Sequence, residues 1–504
     1  MTALVALVAE VAGWLLGAPN RTESFAWFRV QAHLGLAGLA AALIVGLAFA
    51  AWRIRRVPPA WPGALLLHGL FLDVPQAQPD VVTWFTLAQH VARAPFATLL
   101  GWPALVWTGE ESRFHKPFPG VPTVYGAAFR LLGESTFVMD LVLTAWAVAL
   151  PLAVTWAARG IGPRGPRTER TARLAGWLVV GLPLLQAQSG WLLADLPLCA
   201  CVAVAWGALL RVRGRRGLAT AALACLPAVV TKVSGAAFVL GPALALALPL
   251  PAFLGVVGVG TAVAFGLRPP RVHAAPFYFA TTLGLALHLR TAAWIVALPT
   301  LLRRDRLGRL VLGAVVTLPQ LVAWSPIEHA PRYALPVALA LSIATARASP
   351  AVARFLVGSG LVLLIGGYRP ILRHNQALNL QEATRTLVAQ GVDAIEVRAD
   401  APGTTFPPAA LAALVDLYAP VPVRTGAALA LAPADKKRHW WEFVVPPPWR
   451  APGAADGLLL CLYAADATRF EAENPGWTKV GTVSRYRSSS VLLPREVVLY
   501  TRAR

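Results

Sequence analysis

Apolar runs long enough, or nearly long enough, to cross about 30 Å of hydrocarbon recur from the N-terminus to about residue 368, broken by short loops that carry arginine. Composition agrees with a membrane setting. With 504 residues of which 57% are hydrophobic and 14% charged, and a mean hydropathy of +0.59, the chain has too little polar surface to wrap a water-soluble globule of its size. The expected architecture is an α-helical polytopic membrane protein followed, beyond residue 370, by a soluble α/β domain.

The formal net charge of +21 raises the question of nucleic acid. Residues 1–368 hold 29 Lys and Arg against 12 Asp and Glu, whereas residues 369–504 hold 16 against 12. The excess therefore lies in the apolar half, in loops between runs, where the positive-inside rule accounts for it, and no nucleic-acid partner is expected. Cys199, Cys201, Cys225 and Cys461 show no metal-ligand spacing and imply no disulfide framework. The first run, TALVALVAEVAGWLLGA, lacks a basic leader and contains Glu10, so it reads as a short span or interfacial helix and not as a cleaved signal.

Four loops are plainly basic: 53–56, 158–173, 211–217 and 303–310. Placed in the cytoplasm, they divide the apolar runs into about thirteen spans, near 2–18, 31–52, 58–73, 137–157, 175–189, 194–210, 218–231, 234–250, 252–267, 278–300, 310–324, 333–348 and 353–368. The N-terminus is then cytoplasmic and the tail external, in a multi-pass protein of the cytoplasmic (inner) membrane. Loop 74–136, a bend at 190–193, Thr231–Lys232, loops 268–277 and 325–332 and the tail share the extracytoplasmic face. Asp80, His115, Lys116, Asp195, Lys232, Arg268, Arg271, His273, Glu328, His329 and Arg332 all fall there. Ionisable groups at a membrane mark a ligand path, and external Arg and Lys facing a few carboxylates suit an anion, phosphate above all.

Each motif has a plain reading beside the functional one. In QPDVVTWFTLAQ, Asp80 stands where a helix N-cap would, and the same carboxylate is placed to take a proton from a nucleophile; Asp73 competes for that role. Lys116, beside His115, either solvates the interface or clamps phosphate. Asp195 at the top of an apolar span is costly and calls for an ion pair, and Lys232 between two runs calls for an anion unless it snorkels. Tyr278 and Tyr333, which follow the charged loops, are otherwise ordinary interfacial aromatics.

Taken in order, these segments resemble the C-type-fold membrane glycosyltransferases, in particular the bacterial family related to protein O-mannosyltransferases and to the aminoarabinose transferases that modify lipid A. The family's Asp-Glu pair with an aromatic four residues after the Asp is matched by Asp80 and Trp84, with Val81 in place of the Glu. HKPF at 115–118, ADLPL at 194–198, TKVSG at 231–235, HAAPFYF at 273–279 and RYALP at 332–336 match further elements, over residues 73–340. His115 stands where the aminoarabinose branch has Glu. The resemblance implies an enzyme of the cell envelope, a hexosyl- or pentosyltransferase. Its donor is a polyprenyl-phosphate sugar drawn from among the membrane lipids, and its acceptor a glycan, lipid or protein. It implies Asp80 as base for an inverting displacement, Asp195 orienting a base or cation, and Lys116, Lys232, Arg271 and Arg332 on the donor phosphate. Trp84, Tyr278 and Tyr333 would line the substrate. His115 and His273 are the candidate ligands of a divalent metal ion, the one cofactor considered.

In the tail, LQEATRTLVAQGV and PAALAALVDLYA read as helices, and AIEVRAD, GLLLCLYA and EVVLYTR as strands. The cluster DKKRHWWEF at 435–443 is a solvated loop or an acceptor-binding patch. Two rivals remain: a lipid or solute transporter, although its charges would sit nearer the midplane of repeated halves, and a non-catalytic lipid-binding envelope scaffold, which Val81 keeps open.

Overall fold

A computed structural model describes residues 1–16, 27–52, 56–74, 76, 79–102, 118–187, 189–212, 214–267, 290–317, 335–373, 377–400, 408–425, 455–463, 467–485 and 493–502. The helices run α1 Thr2–Leu16, α2 Trp27–Ala51, α3 Trp61–Gly69, α4 Pro79–Arg93, α5 Pro95–Leu100, α6 Gly120–Leu132, α7 Thr136–Arg159, α8 Pro166–Val180, α9 Pro183–Ala187, α10 Asp195–Leu209, α11 Gly214–Thr231 and α12 Val233–Ala247. They continue with α13 Leu250–Leu267, α14 Thr291–Leu301, α15 Arg306–Val315, α16 Leu335–Ala348 and α17 Pro350–Val362, which passes through a π segment at Leu363–Tyr368 into α18 Arg369–Arg373. The tail adds α19 Ala377–Ala389, β1 Ile395–Ala399, α20 Pro408–Asp416, β2 Val423–Thr425, β3 Gly457–Leu462, α21 Thr468–Glu473, β4 Thr478–Val483 and β5 Glu496–Thr501. The described residues are thus mostly helical, with one small mixed sheet among them.

The expectation of about thirteen spans is not met. Among the described residues three helical stretches are able, by length and composition, to cross a membrane: Val30–Ala51, Thr136–Arg159 and Pro350–Arg373. Six shorter apolar helices accompany them among the described residues. The reason is local. The run at 58–73 yields only the nine residues of α3, and the run at 175–189 breaks between Val180 and Pro183. The runs at 218–231 and 234–250 meet at Lys232, whose backbone is extended. Helices α10 and α16 are buried along nearly their whole length, the condition of core helices in a bundle. Parts of the runs at 278–300 and 310–324 lie outside the described residues.

Two units divide the chain, Met1–Leu72 with Thr144–Gly190 and Ala194–Ile371, and Asp73–Leu143 with Trp191–Leu193 and Leu372–Arg504. In the first, two pairs of helices approach closely at glycines. A Cβ on Gly46 would strike the Phe355 ring, and one on Gly358 the Phe49 ring, so α2 and α17 pack at short range. Between α12 and α15 the backbones at Gly241 and Gly313 meet in the same way.

Polar and close contacts tie the loops of this unit into two sets. Arg173 Nη1 donates to the Val57 carbonyl at 3.0 Å, Arg211 lies 4.2 Å over the Trp156 ring, and Arg306 donates to the Leu210 carbonyl. Arg309 Nη1 reaches the Leu248 carbonyl at 2.6 Å, Arg347 pairs with Asp305 at 3.4 Å, and Arg354 Nη2 reaches the Ala50 carbonyl at 2.8 Å. The arginine-bearing loops are therefore joined to one another. The other set links the opposite ends of the same helices: Arg369 Nε donates to the Leu70 carbonyl at 2.8 Å, Gly190 lies against the Phe71 carbonyl, and Asp195 pairs with Lys232.

In the second unit the sheet order is β2-β1-β3-β5-β4, with β2, β1 and β3 parallel and β5 and β4 antiparallel. One face packs Leu458, Leu460, Leu462, Phe470, Trp477, Val498 and Tyr500. On β1, burial pushes the Glu396 carboxyl up, but hydrogen bonds from Arg398 and Arg424, both at 2.6 Å, together with their charges outweigh it and hold the group below its ordinary value. A carboxylate with a depressed folded-state pKa contributes stability above its unfolded value of about 4.3 and loses it as the pH falls through the folded value. Acid unfolding of this unit, followed by circular dichroism below about pH 4, is therefore expected to be blunted in Glu396→Gln, which starts less stable at neutral pH and has less to lose. The same unit holds α4 against α6, with Phe85 edge-on to Phe129 at 5.7 Å. The Gln89 amide of α4 donates to Glu134 and, at 3.3 Å, to Asp416 at the end of α20. The Gln76 N–H donates to the Tyr418 hydroxyl at 2.7 Å.

Candidate functional site

Asp195 opens α10 and Lys232 separates α11 from α12. Thirty-seven residues apart in sequence, they meet: Lys232 Nζ donates to Asp195 Oδ1 at 2.6 Å. The acid is the buried partner, with 4% of its side chain exposed against 22% for the lysine. Each residue thus answers the other's cost, since a carboxylate near an apolar helix end and an ammonium between two apolar runs both need a counter-ion.

The local sequence explains why the lysine stands there. Lys232 has φ −158° and ψ 147°, extended backbone that ends α11 and starts α12. Thr231 closes the preceding helix by donating its hydroxyl to the Pro227 carbonyl at 2.6 Å, and the Gly235 N–H returns to the Lys232 carbonyl at 2.8 Å. Gly235 has no substitute at this bend, because a Cβ would run into the Ala228 carbonyl oxygen and meet Leu198 Cδ1 at 3.0 Å. Gly235→Ala is accordingly expected to destabilise the protein by about 1–3 kcal/mol, as overpacking does. A lowered melting temperature in detergent is the readout.

The remaining site residues divide by place. Asp80 is the second residue of α4 by its backbone, one position inside the helix and not at the cap before it; its side chain is outside the described set. Val81, which replaces the family's second acid, is 0% exposed, so this position belongs to the core. Trp84 is also buried, at 4%. Asp73, the competing carboxylate, pairs with Arg373 at 3.2 Å. His115, Lys116, Arg268, Arg271, His273, Tyr278, Glu328, His329, Arg332 and Tyr333 lie outside the described residues, as does the 435–443 cluster. Among the described residues no three His, Cys, Asp or Glu side chains converge as metal ligands.

A second buried ion pair escapes motif reading. Arg290, the residue before α14, donates through Nε to Glu10 of α1, through Nη2 to Ser359 Oγ at 2.6 Å and through Nη1 to the Leu356 carbonyl at 3.2 Å. Glu10 also accepts from Trp14 Nε1 at 3.1 Å and from the Ala292 N–H at 2.9 Å. Arg290 is 5% exposed. Its signal in the sequence is a lone arginine in the run LALHLRTAAWIV, and Glu10 is the one acid of the first run. Charge complementarity between apolar runs, not any motif, pairs them.

No family model matches this chain, and no curated protein or solved structure matches it.

Proposed function

We propose that this protein is an integral membrane glycosyltransferase of the C-type fold that moves a sugar from a polyprenyl-phosphate donor to an extracytoplasmic acceptor by inverting displacement. The carrying observation is the Asp195–Lys232 pair. Two motifs of the resemblance, ADLPL and TKVSG, are remote in sequence, and the polar residue of each meets the other at 2.6 Å. The pair belongs to the helix ends away from the joined arginine-bearing loops. With those loops in the cytoplasm, as the positive-inside rule favours, the pair faces the extracytoplasmic side of the inner membrane.

In this reading Lys232, with Lys116, Arg271 and Arg332, binds the donor phosphate and stabilises the charge that develops on it as the glycosidic bond breaks. Asp80 takes the proton of the acceptor hydroxyl while that oxygen attacks the anomeric carbon, and polyprenyl phosphate leaves. Asp195 holds the Lys232 ammonium. Trp84, Tyr278 and Tyr333 are the proposed substrate contacts, and His115 and His273 the proposed ligands should a divalent metal take part. Incubating the purified protein with a polyprenyl-phosphate sugar and an envelope extract tests the assignment. Released polyprenyl phosphate is the expected product; donor that is bound or translocated intact would instead identify a scaffold or a transporter.

A further inference from the structure

We propose that Gln76 is a positioning residue that fixes the start of α4, and with it Asp80, by anchoring the chain ahead of that helix to the tail and to the bend before α10. The proposal rests on the transferase reading only for the reaction in which Asp80 takes part.

Three segments remote in sequence meet at Gln76. Its backbone N–H donates to the Tyr418 hydroxyl at 2.7 Å, across 342 residues. Its side-chain Oε1 accepts from the Leu192 N–H at 3.3 Å. The junction is closed to water, with Gln76 4% exposed and Leu192 0%. An exposed N–H that loses its partner turns to solvent, whereas a buried one bears the whole cost of desolvation. Displacing the Gln76 amide therefore strands the Leu192 N–H.

The anchor is also close to the helix it would hold. Only Ala77 and Gln78 separate Gln76 from Pro79, the first residue of α4, and a proline there has its φ set for the helix in advance. Asp80 follows in the same turn. The tail holds α4 at a second point. Asp416, which ends α20 two residues before Tyr418, accepts from Gln89 Nε2 at 3.3 Å, and Gln89 is 1% exposed. One short piece of the tail thus grips the chain ahead of α4 and again in the second half of that helix. A helix held at two points by one segment keeps its direction, so the tail becomes part of the machinery that presents Asp80.

A general base has to lie within about 3 Å of the proton it takes, and a misplacement of about 1 Å can cost on the order of a hundredfold in rate. Loosening the anchor therefore acts on turnover. Donor affinity is set elsewhere, by the cations proposed for the phosphate, of which Lys232 has its own buried counter-ion in Asp195.

The test uses the full chain in phosphatidylcholine nanodiscs and two mild substitutions. Tyr418→Phe removes the acceptor of the Gln76 N–H and keeps the ring; Gln76→Met keeps most of the side-chain volume and removes the acceptor of the Leu192 N–H. Hydrogen exchange is the first readout. Leu192 is expected to exchange about tenfold faster in Gln76→Met, the scale of one hydrogen bond lost, and the N-terminal half of α4 faster in both variants, with β3 and β5 unchanged. Release of polyprenyl phosphate from a polyprenyl-phosphate sugar, with envelope extract as acceptor, is the second. Each variant is expected to lower kcat about tenfold, within the range of a small misplacement, and to leave the donor KM within about twofold. Placed in an Asp80→Asn background, neither should lower the residual rate further, because residues that act through one another are not additive. Parent-like exchange of α4 in both variants overturns the anchor, whether or not sugar is transferred. A loss carried by KM, or one that persists in full in Asp80→Asn, overturns the positioning role. Should Gln76→Met not fold, Tyr418→Phe, which lacks one oxygen, decides alone. A parent protein that transfers no sugar defeats the transferase reading, and exchange of α4 then decides the anchor by itself. Transfer indifferent to both substitutions defeats the positioning role and leaves the transferase reading standing.

Discussion

Arg290→Ala is expected to cost about 3–5 kcal/mol of stability, because it strands a buried carboxylate without its charge partner. Glu10 loses the guanidinium, Ser359 loses its donor at 2.6 Å, and the group left behind sits where water does not reach, at 1% exposure. The backbone adds to the case. Arg290 has φ +70°, in the left-handed region that costs a side-chain-bearing residue on the order of 1–3 kcal/mol, and the three bonds of its guanidinium are what offset that. Glu10→Ala strands the opposite charge and should do comparable harm. The informative comparison is the double replacement Glu10→Leu with Arg290→Met. Buried pairs exchanged for apolar side chains of similar volume are often neutral, so the double variant is expected to melt well above either single one. Thermal unfolding in one detergent measures all four proteins. Additive losses in the double variant would show that the two residues act separately and that the network is not the clamp between α1, α14 and α17 described above.

Both buried pairs also show how far the sequence reaches. Asp195 and Lys232 each announce a need for an opposite charge, and reading that need residue by residue leads to the right kind of partner. What fixes the partner is the packing of α10 against α11 and the bend at Gly235, which no local pattern specifies. The three long helical stretches, and the strands at 395–399, 457–462 and 496–501, carry unbroken apolar or alternating patterns and are legible. Strands β2 and β4 are not. The first is only three residues long and follows a proline-rich stretch, and the second is a largely exposed edge strand whose side chains carry no buried face to alternate against. Span counting fails for a related reason: hydropathy registers an apolar residue facing a neighbouring helix and one facing lipid alike, so α10 and α16, buried by protein, score as crossings. The contact between the 74–136 segment and the tail, through Gln89 and Asp416 and through Gln76 and Tyr418, has no sequence signature at all.

Asp80→Asn is expected to lower sugar transfer by about 10²–10⁴-fold, the usual contribution of a general base, with donor binding and folding retained. The substitution is chosen because it separates the two roles open to this residue. At the second position of α4 asparagine forfeits only the carboxylate's attraction to the helix dipole, about 0.3–1 kcal/mol, so a residue that only starts α4 would lose a little stability and leave transfer unchanged. A base loses its function, because an amide takes up no proton. Val81 beside it is fully buried, so a second acid at that position would have to be accommodated in the core, and the proposed chemistry rests on the single carboxylate. Asp73 provides the matched control. Its partner Arg373 lies at 3.2 Å with both side chains about half exposed, a surface pair worth roughly 0–1 kcal/mol, so Asp73→Asn should change neither melting temperature nor rate appreciably. Release of polyprenyl phosphate at saturating donor reports both variants. Full activity in Asp80→Asn would remove the residue from the mechanism, and loss confined to Asp73→Asn would move the proton transfer to the end of the preceding segment, where Arg373 would have to give up the carboxylate before it could accept a proton.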